Sequence, residues 1–152
     1  MSDLQPRQQS HYGWIPDLPD NRDHLFALRP ETVAALPVAV DMRQQCPAQV
    51  YDQGRIGSCT ANAIAGAFEF DLLKQQLTDF MPSRLFIYYN ERVMENDVSQ
   101  DNGAMIRDGI KSVAKQGACP EAEWPYDIAK FASKPSVACY RDAMKYQALL
   151  PL

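Results

Sequence analysis

The segment from Gln53 to Ala61 constrains this chain more than any other, because it joins a glycine-bearing loop to an alanine-rich helix that opens on a cysteine. Apolar and small side chains recur at three- and four-residue steps after Cys59, which predicts a buried helix over residues 58–76. Ser58 is the expected N-cap, its hydroxyl accepting a first-turn N–H. A thiol in that turn meets unpaired N–H groups and the positive end of the helix dipole. We therefore expect a lowered pKa and a reactive thiolate at Cys59.

The composition and charge of the chain favour a globular domain and argue against nucleic-acid and membrane partners. The chain has 152 residues, 46% of them hydrophobic, which suits one globular domain with a genuine core. The net charge is −4 and no basic block occurs, so we expect no nucleic-acid partner and no membrane partner. No apolar run is long enough for a membrane helix, and residues 1–9 are polar and unlike a secretory signal. Cytoplasmic residence is the default expectation, with export left open.

The four cysteines are widely spaced and form no C-x-x-C pair, which argues against a thioredoxin-like redox role. Nothing shows the paired spacing of zinc ligands, so we expect no metal and no other cofactor. We interpret Cys46, Cys119 and Cys139 as buried small hydrophobic residues, with a Cys119–Cys139 disulfide as the first alternative. His11 and His24 are expected to be solvent-facing residues of an N-terminal arm.

The remaining pattern predicts an extended arm followed by a helical unit. Residues 1–38 are rich in proline and turn formers, and the apolar run at residues 36–41 predicts a short strand. Further helices are predicted over residues 83–94, 104–116 and 136–148, with Gly117 ending the second of these.

The spacing of Gln53 and Cys59 has a chemical rationale. Attack of sulfur on an amide carbonyl creates an oxyanion, which needs hydrogen-bond donors already in place. The Cys59 backbone N–H is one donor, and a carboxamide returned by the glycine-bearing loop supplies a second. The alternatives are a buried helix cysteine and a loop glutamine that caps a turn.

Asp52-Gln53-Gly54 and the following Gly57-Ser58-Cys59 resemble the active-site segment of papain-like cysteine peptidases, family C1. The resemblance implies that Cys59 is the nucleophile and Gln53 the oxyanion-hole side chain. A second stretch, residues 101–127, resembles the glycine segment, helix and Pro-Tyr turn of the family. It implies that Asn102, Gly103 and Ala104 border the bound peptide and that Met105 and Ile106 help to line an apolar S2 pocket. The alternative is that Gly103 and Ala104 simply begin a helix.

The sequence departs from the family at several positions. Thr60 stands where the family usually has tryptophan, and Ile56 and Asp101 replace two positions that often form a disulfide in secreted members. The family's histidine and asparagine lie about 130–150 residues beyond the cysteine, and residues 60–152 contain no histidine.

The resemblance implies an α+β fold: the mainly helical first (left) domain of the papain-like fold, with the β-rich second domain absent from these residues. We expect a propeptide-like arm over residues 1–38 and the first domain over residues 39–152. Tyr12, Trp14 and Ile15 either anchor this arm or lie across the cleft as a plug.

The implied function is peptide-bond hydrolysis through a thioester, with these residues forming the nucleophile-bearing half, inactive alone. The expected partners are a peptide or protein substrate and a second domain or full-length relative. The alternative is a truncated, non-catalytic homologue that binds peptides or inhibits a relative.

Overall fold

The computed structural model describes residues 12–23 and 27–147. Five α-helices and one pair of short strands make up its regular structure in those ranges. In chain order they are β1 (Trp14–Ile15), α1 (Pro30–Ala34), α2 (Cys59–Lys74), α3 (Arg84–Met94), β2 (Ala104–Met105), α4 (Ile106–Gln116) and α5 (Val137–Ala143). Single 3₁₀ turns lie at Arg43–Gln45 and Ile128–Lys130. Over these ranges the protein is thus mainly helical, as predicted, and its one small sheet lies where no strand was predicted.

Helices α2, α3 and α4 pack against one another and enclose the main core. The predicted apolar face of α2 supplies Ala61, Ile64 and Ala65, all buried. Small side chains at two of these three positions let the neighbouring helices approach closely. From α3, Leu85 and Tyr88 are fully buried in the same cluster. Helix α2 therefore contributes one face to the main core, and Cys59 begins it.

The ends of the helices follow local rules with one exception. Ser83 caps α3, its hydroxyl accepting from the Phe86 N–H at 3.1 Å. Gly117 ends α4 at a φ of 76°, a left-handed conformation that favours glycine. Ser58 precedes α2 as predicted, but the expected capping bond is wrong. Its hydroxyl instead bonds to the Tyr126 hydroxyl.

The helix predicted from residue 104 begins two residues later, because Ala104–Met105 is a strand. It pairs in parallel with Trp14–Ile15, in the register Trp14 to Ala104 and Ile15 to Met105. The sequence periodicity around residue 104 could not reveal this, since the pairing partner lies about ninety residues earlier in the chain. Residues 12–23 form no helix, and their strand docks them on residues 104–105.

A second, smaller cluster packs α5 against α3. It contains Phe86, Cys119, Cys139 and Ala143, all buried. Ser136 caps α5, its hydroxyl accepting from the Cys139 N–H at 3.3 Å. The helix ends at Ala143, earlier than predicted, and residue 148 lies outside the described residues. Burial of Cys119 and Cys139 is confirmed, both as free thiols, whereas Cys46 is free and exposed, so its predicted burial is wrong.

Residues 27–50 contrast with the packed helices. All are exposed except Pro47, which is partly buried. The strand predicted at residues 36–41 is wrong, since these residues form neither strand nor bridge. A β-branched run becomes a strand only where a partner supplies the hydrogen bonds. No described helix is long and apolar enough to cross a membrane. The boundary between arm and domain at residue 38 stays a prediction, and His11 and His24 lie outside the described residues.

Candidate active site

Cys59 is the first residue of α2 and is partly exposed. Backbone groups of Gly13, Thr60 and Cys59 itself hydrogen-bond the sulfur, which favours the thiolate. Burial outweighs them and raises the pKa of the Cys59 thiol above its ordinary value. The expected lowering of this pKa is therefore wrong. Gly13 belongs to the arm, so the arm contributes one of the backbone groups that lower the pKa.

Gln53 lies half-buried in the loop that leads to α2. Its carboxamide nitrogen donates to the Ile56 carbonyl oxygen at 3.0 Å, which folds the side chain back over its own loop. An amide nitrogen carries two N–H groups, so a second donor remains for another acceptor. The Tyr126 hydroxyl donates to the Gln53 carbonyl oxygen at 2.9 Å and holds the loop from the other side.

Arg84 anchors the start of this loop to α3. Its guanidinium lies 4.1 Å from the Tyr126 ring centre and 4.8 Å from that of Tyr51. The same group bonds the Glu121 carboxylate at 3.0 Å and the Asp52 carbonyl oxygen at 3.2 Å. Only about a tenth of the Arg84 side chain is exposed, so these charged and stacked contacts hold the loop firmly. The loop that carries Gln53 is thus fixed to the helical core.

The predicted peptide-binding segment lies directly beside the cysteine loop. Gly103 is buried with a φ of 89°, which requires glycine. Ala104 is fully buried, and its N–H donates to the Gly13 carbonyl oxygen at 2.7 Å. Asn102 is exposed and donates to an Asp97 carboxylate oxygen at 2.7 Å. The structure therefore brings the backbones of Gly103 and Ala104 close to Gly57 and Gly13, and turns the Asn102 amide towards its own loop. We call the space between Gly57 and Gly103 the groove.

Met105 and Ile106, the two residues predicted to line an S2 pocket, lie in different surroundings. The Met105 N–H donates to a Glu95 carboxylate oxygen at 2.6 Å, and its side chain borders a small cavity of about 180 Å³ between α4 and arm residues 17–20. Ile106, the first residue of α4, packs against the main core. An S2 role for either residue stays a prediction. Residues 17–20 of the arm line the cavity beside Met105.

The arm enters the groove by its backbone. Gly13 lies between Gly57 and Gly103, so close that an added side-chain carbon at Gly13 would sit 1.7 Å from the Gly57 carbonyl oxygen. Tyr12 and Trp14 are 65% and 57% exposed, and Ile15 is half-buried. Sequence reasoning named these three side chains and missed Gly13. A lone glycine between two aromatic residues was the available signal.

Charged contacts hold the rest of the arm. An Asp17 carboxylate oxygen accepts from the Arg107 N–H at 3.0 Å, so the arm supplies an acceptor for the first turn of α4. The Arg107 guanidinium lies 2.7 Å from the Asp23 carboxylate and 3.4 Å from that of Asp20. These exposed ion pairs orient the arm more than they stabilise it.

A buried carboxyl lies behind α2, the helix that Cys59 begins. The Thr60 hydroxyl donates to Glu91 at 2.7 Å, and Glu91 is fully buried. Burial raises the pKa of Glu91 to about 8, which keeps it neutral over much of the ordinary pH range. Gly109 makes the space, since a side-chain carbon there would lie 2.5 Å from the second Glu91 oxygen. Thr60, the departure from the family's tryptophan, thus has a partner that sequence reasoning missed.

Two further observations concern the described residues outside this loop. Within residues 12–23 and 27–147, no three His, Cys, Asp or Glu side chains gather as metal ligands would. A larger cavity of about 480 Å³ lies between α3, α4 and the segment leading into α5. None of the predicted site residues lines it.

Comparisons with known proteins point one way. No family model matches the chain. An uncharacterised peptidase C1-like protein of Acanthamoeba polyphaga mimivirus is 40% identical over 149 residues, covering 88% of this chain and 48% of the relative. Xylellain, a cysteine protease from Xylella fastidiosa, matches with 48% identity and a TM-score of 0.79, over 96% of this chain and 59% of its own. The chain thus spans about half the length of the curated relative and under two thirds of xylellain.

A more distant structure agrees on the fold alone. Digestive procathepsin L 3 from the larval midgut of Tenebrio molitor is 20% identical, with a TM-score of 0.56 over 75% of this chain and 36% of its own. The likeness extends the agreement on the fold to a second solved structure.

Proposed function

We propose, on the premise that this chain belongs to the papain-like cysteine peptidases of family C1, that Cys59 is the nucleophile of a peptidase acting through a thioester. One observation carries the proposal. Cys59 at the start of α2 follows Gly57 by two residues, Gln53 lies in the same loop, and Gly57 packs beside Gly103 with the arm residue Gly13 against both. The Cys59 sulfur attacks the peptide carbonyl, and the Cys59 N–H with the free Gln53 N–H stabilises the oxyanion.

These 152 residues alone are proposed to turn over no peptide at a measurable rate. The reaction needs a base to take the thiol proton and an acid to protonate the leaving amine, and each contributes about 10²–10⁴-fold. No histidine follows Cys59 in the sequence, and burial raises the pKa of its thiol. The thiol therefore stays protonated near neutral pH.

A second domain is the partner that would supply the imidazole. The relatives carry substantial further chain, since the alignments cover 48% and 59% of their lengths. The exposed apolar side chains of residues 27–50 offer a surface for such a domain. The large ones are Leu28, Val33, Leu36, Val38, Val40, Met42 and Val50. A full-length relative is a second source of the same contact.

The arm is proposed to block the groove as a plug until it is removed or displaced. Its backbone fills the slot between Gly57 and Gly103, and the Gly13 carbonyl takes the Ala104 N–H that an extended peptide would use. In this role Tyr12, Trp14 and Ile15 flank the plug, and Gly13 is the residue that enters.

A chimera tests the peptidase proposal. Residues 1–147 are joined to the part of xylellain that follows the aligned region, the arm is removed by a cleavable site, and hydrolysis of a fluorogenic peptide is measured. We expect hydrolysis that Cys59→Ala abolishes and that Gln53→Ala lowers by about 10²–10³-fold. Hydrolysis that survives Cys59→Ala, or a folded chimera without hydrolysis, contradicts the proposal. Peptide binding without hydrolysis would favour the non-catalytic alternative.

Gly13→Ala tests the plug. Overpacking of about 1–3 kcal/mol corresponds to about 5- to 150-fold in the closed-to-open ratio of the arm. We expect alkylation of Cys59 by iodoacetamide to accelerate within that range, with exposed Cys46 as the internal reference, quantified by peptide mass spectrometry. Gly66→Ala is the matched control, because its added carbon would lie 3.9 Å from the nearest atom, on the Tyr51 ring. Equal rates in the two variants would contradict the plug.

A further inference from the structure

The Asp101 carboxylate has contacts that the proposed reaction does not use. Its two oxygens accept from the Gly57 N–H at 2.9 and 3.1 Å, and one of them also accepts from the Tyr88 hydroxyl. Gly57 precedes Cys59 by two residues, and Asp101 precedes Gly103 by two. One side chain therefore connects the cysteine loop to the peptide-binding segment, forty-four residues away in sequence.

The position of Asp101 is itself fixed by α3. Arg92 is fully buried and donates to the carbonyl oxygens of Val98 at 2.7 Å and Gln100 at 3.0 Å, which sets the path of the loop into Asp101. The Arg92 guanidinium lies 3.9 Å from the centre of the Tyr88 ring. Burial raises the pKa of Tyr88, so its hydroxyl keeps its proton and remains a donor. The Asp101 carboxylate thus accepts from two donors, the Gly57 N–H and the Tyr88 hydroxyl.

The geometry at Gly57 indicates what this connection controls. A side-chain carbon at Gly57 would lie 3.4 Å from an Asp101 oxygen, 3.4 Å from the Gly103 nitrogen and 3.2 Å from the Gly13 Cα. The three glycine backbones are therefore in close mutual contact, and the Asp101 carboxylate holds the Gly57 amide at this contact. The position of Gly57 relative to Gly103 limits the space that Gly13 occupies.

We propose that Asp101 is a positioning residue that sets the width of this groove by holding the Gly57 amide against the glycine segment. A carboxylate suits the task because both of its oxygens accept, whereas an amide offers one acceptor and a donor that would face an N–H or O–H. The interpretation of the groove as a peptide-binding site rests on the proposed function. The hydrogen bonds of Asp101 are independent of that function.

Residue-resolved amide hydrogen exchange on the full chain tests the inference. Asp101→Asn keeps the size of the side chain and removes the paired acceptor. Hydrogen bonds to a charged group correspond to about ten- to a hundredfold in an opening equilibrium. We expect exchange of the Gly57 amide to accelerate by that factor, and exchange of the Ala104 amide, which donates to Gly13 across the groove, to accelerate with it. The Ile87 amide, which donates to Ser83 within α3, should be unchanged.

Two variants separate positioning from general stability. Asp97→Asn changes a carboxylate of the same loop that accepts from Asn102, and should leave the Gly57 amide unchanged. Tyr88→Phe removes a single donor to Asp101, and should accelerate Gly57 exchange by a smaller factor than Asp101→Asn. Unchanged Gly57 exchange in Asp101→Asn, or equal acceleration at Ile87, overturns the inference. These outcomes do not depend on whether Cys59 is a nucleophile, so they are distinguishable from failure of the peptidase proposal.

Discussion

Residues 51–131 and residues 27–50 both carry many apolar side chains, yet they use them in opposite ways. In the first region Leu85, Phe86 and Tyr88 are fully buried. In the second, Leu36 is 54% exposed, Val40 68% and Val38 fully so. Apolar content alone therefore does not bury a segment. A helix satisfies its own backbone and can pack at once, whereas an extended run needs hydrogen bonds from elsewhere before its side chains can be covered.

The same contrast appears in the arginines. Arg92, in α3, donates to four backbone carbonyl oxygens, of Tyr88, Val98, Gln100 and Phe131. Arg43 pairs only with Asp41, two residues away, and 89% of its side chain is exposed. The first connects distant parts of the chain and the second stiffens a turn.

The largest effect should come from Arg92→Met. It leaves four carbonyl groups without their donor, and breaking a buried charged network of this kind costs about 3–5 kcal/mol. Arg43→Met should produce no measurable change. Urea denaturation followed by circular dichroism gives both free energies of unfolding. Similar values for the two variants would remove the distinction between the regions.

The pH dependence of stability should come from Glu91. Its pKa is raised from 4.5 to about 8 by burial, with Thr60 and Arg92 opposing and Glu95 and Asp108 adding to the rise. Between these pH values the folded state binds more protons than the unfolded state, so stability falls as pH rises, by at most about 1.4 kcal/mol per unit for this group. Glu91→Gln should flatten this decline between pH 5 and 8.

An exposed carboxyl provides the comparison for that prediction. Asp41 hydrogen-bonds to Arg43, which lowers its pKa. Asp41→Asn should therefore leave the slope between pH 5 and 8 as it is. Thermal or urea unfolding at several pH values measures both variants. A slope in Glu91→Gln as steep as in the parent chain would contradict the assignment.

The smallest effect should come from Val38→Asp combined with Val40→Lys. Both side chains are exposed, and surface substitutions change stability by about 0.5 kcal/mol or less. In the xylellain chimera, where a second domain is present, the same pair should lower stability or hydrolysis measurably. No difference between chimera and isolated chain would argue that residues 36–42 do not meet the second domain.

Local rules predicted much of the helical part from the sequence. The ends of α3 at Ser83 and of α4 at Gly117 follow from a cap and a left-handed glycine, and the apolar steps after Cys59 gave α2 to within two residues. These features depend on neighbours three or four residues apart, which a sequence displays directly.

Errors occurred where the outcome depends on a distant segment. Ala104–Met105 reads as the start of a helix until Trp14–Ile15 is placed beside it. The pKa of Cys59 was expected to fall because of the helix dipole, and it rises because burial outweighs the backbone hydrogen bonds. Asp101 was noted as a replaced disulfide position, and its hydrogen bonds to Gly57 and Tyr88 could not be read from spacing.

The close contact of Gly13 with Gly57 and Gly103 would affect the equilibrium binding of any incoming peptide. If the arm is the proposed plug, it competes at an effective concentration on the order of millimolar, whatever the dilution of the protein. A free peptide with the same intrinsic affinity as the arm would then have to be present near millimolar levels to occupy half of the sites. Occupancy of the groove is governed by the length and integrity of the tether, and proteolytic trimming between the arm and α2 would change it more than any change in peptide supply.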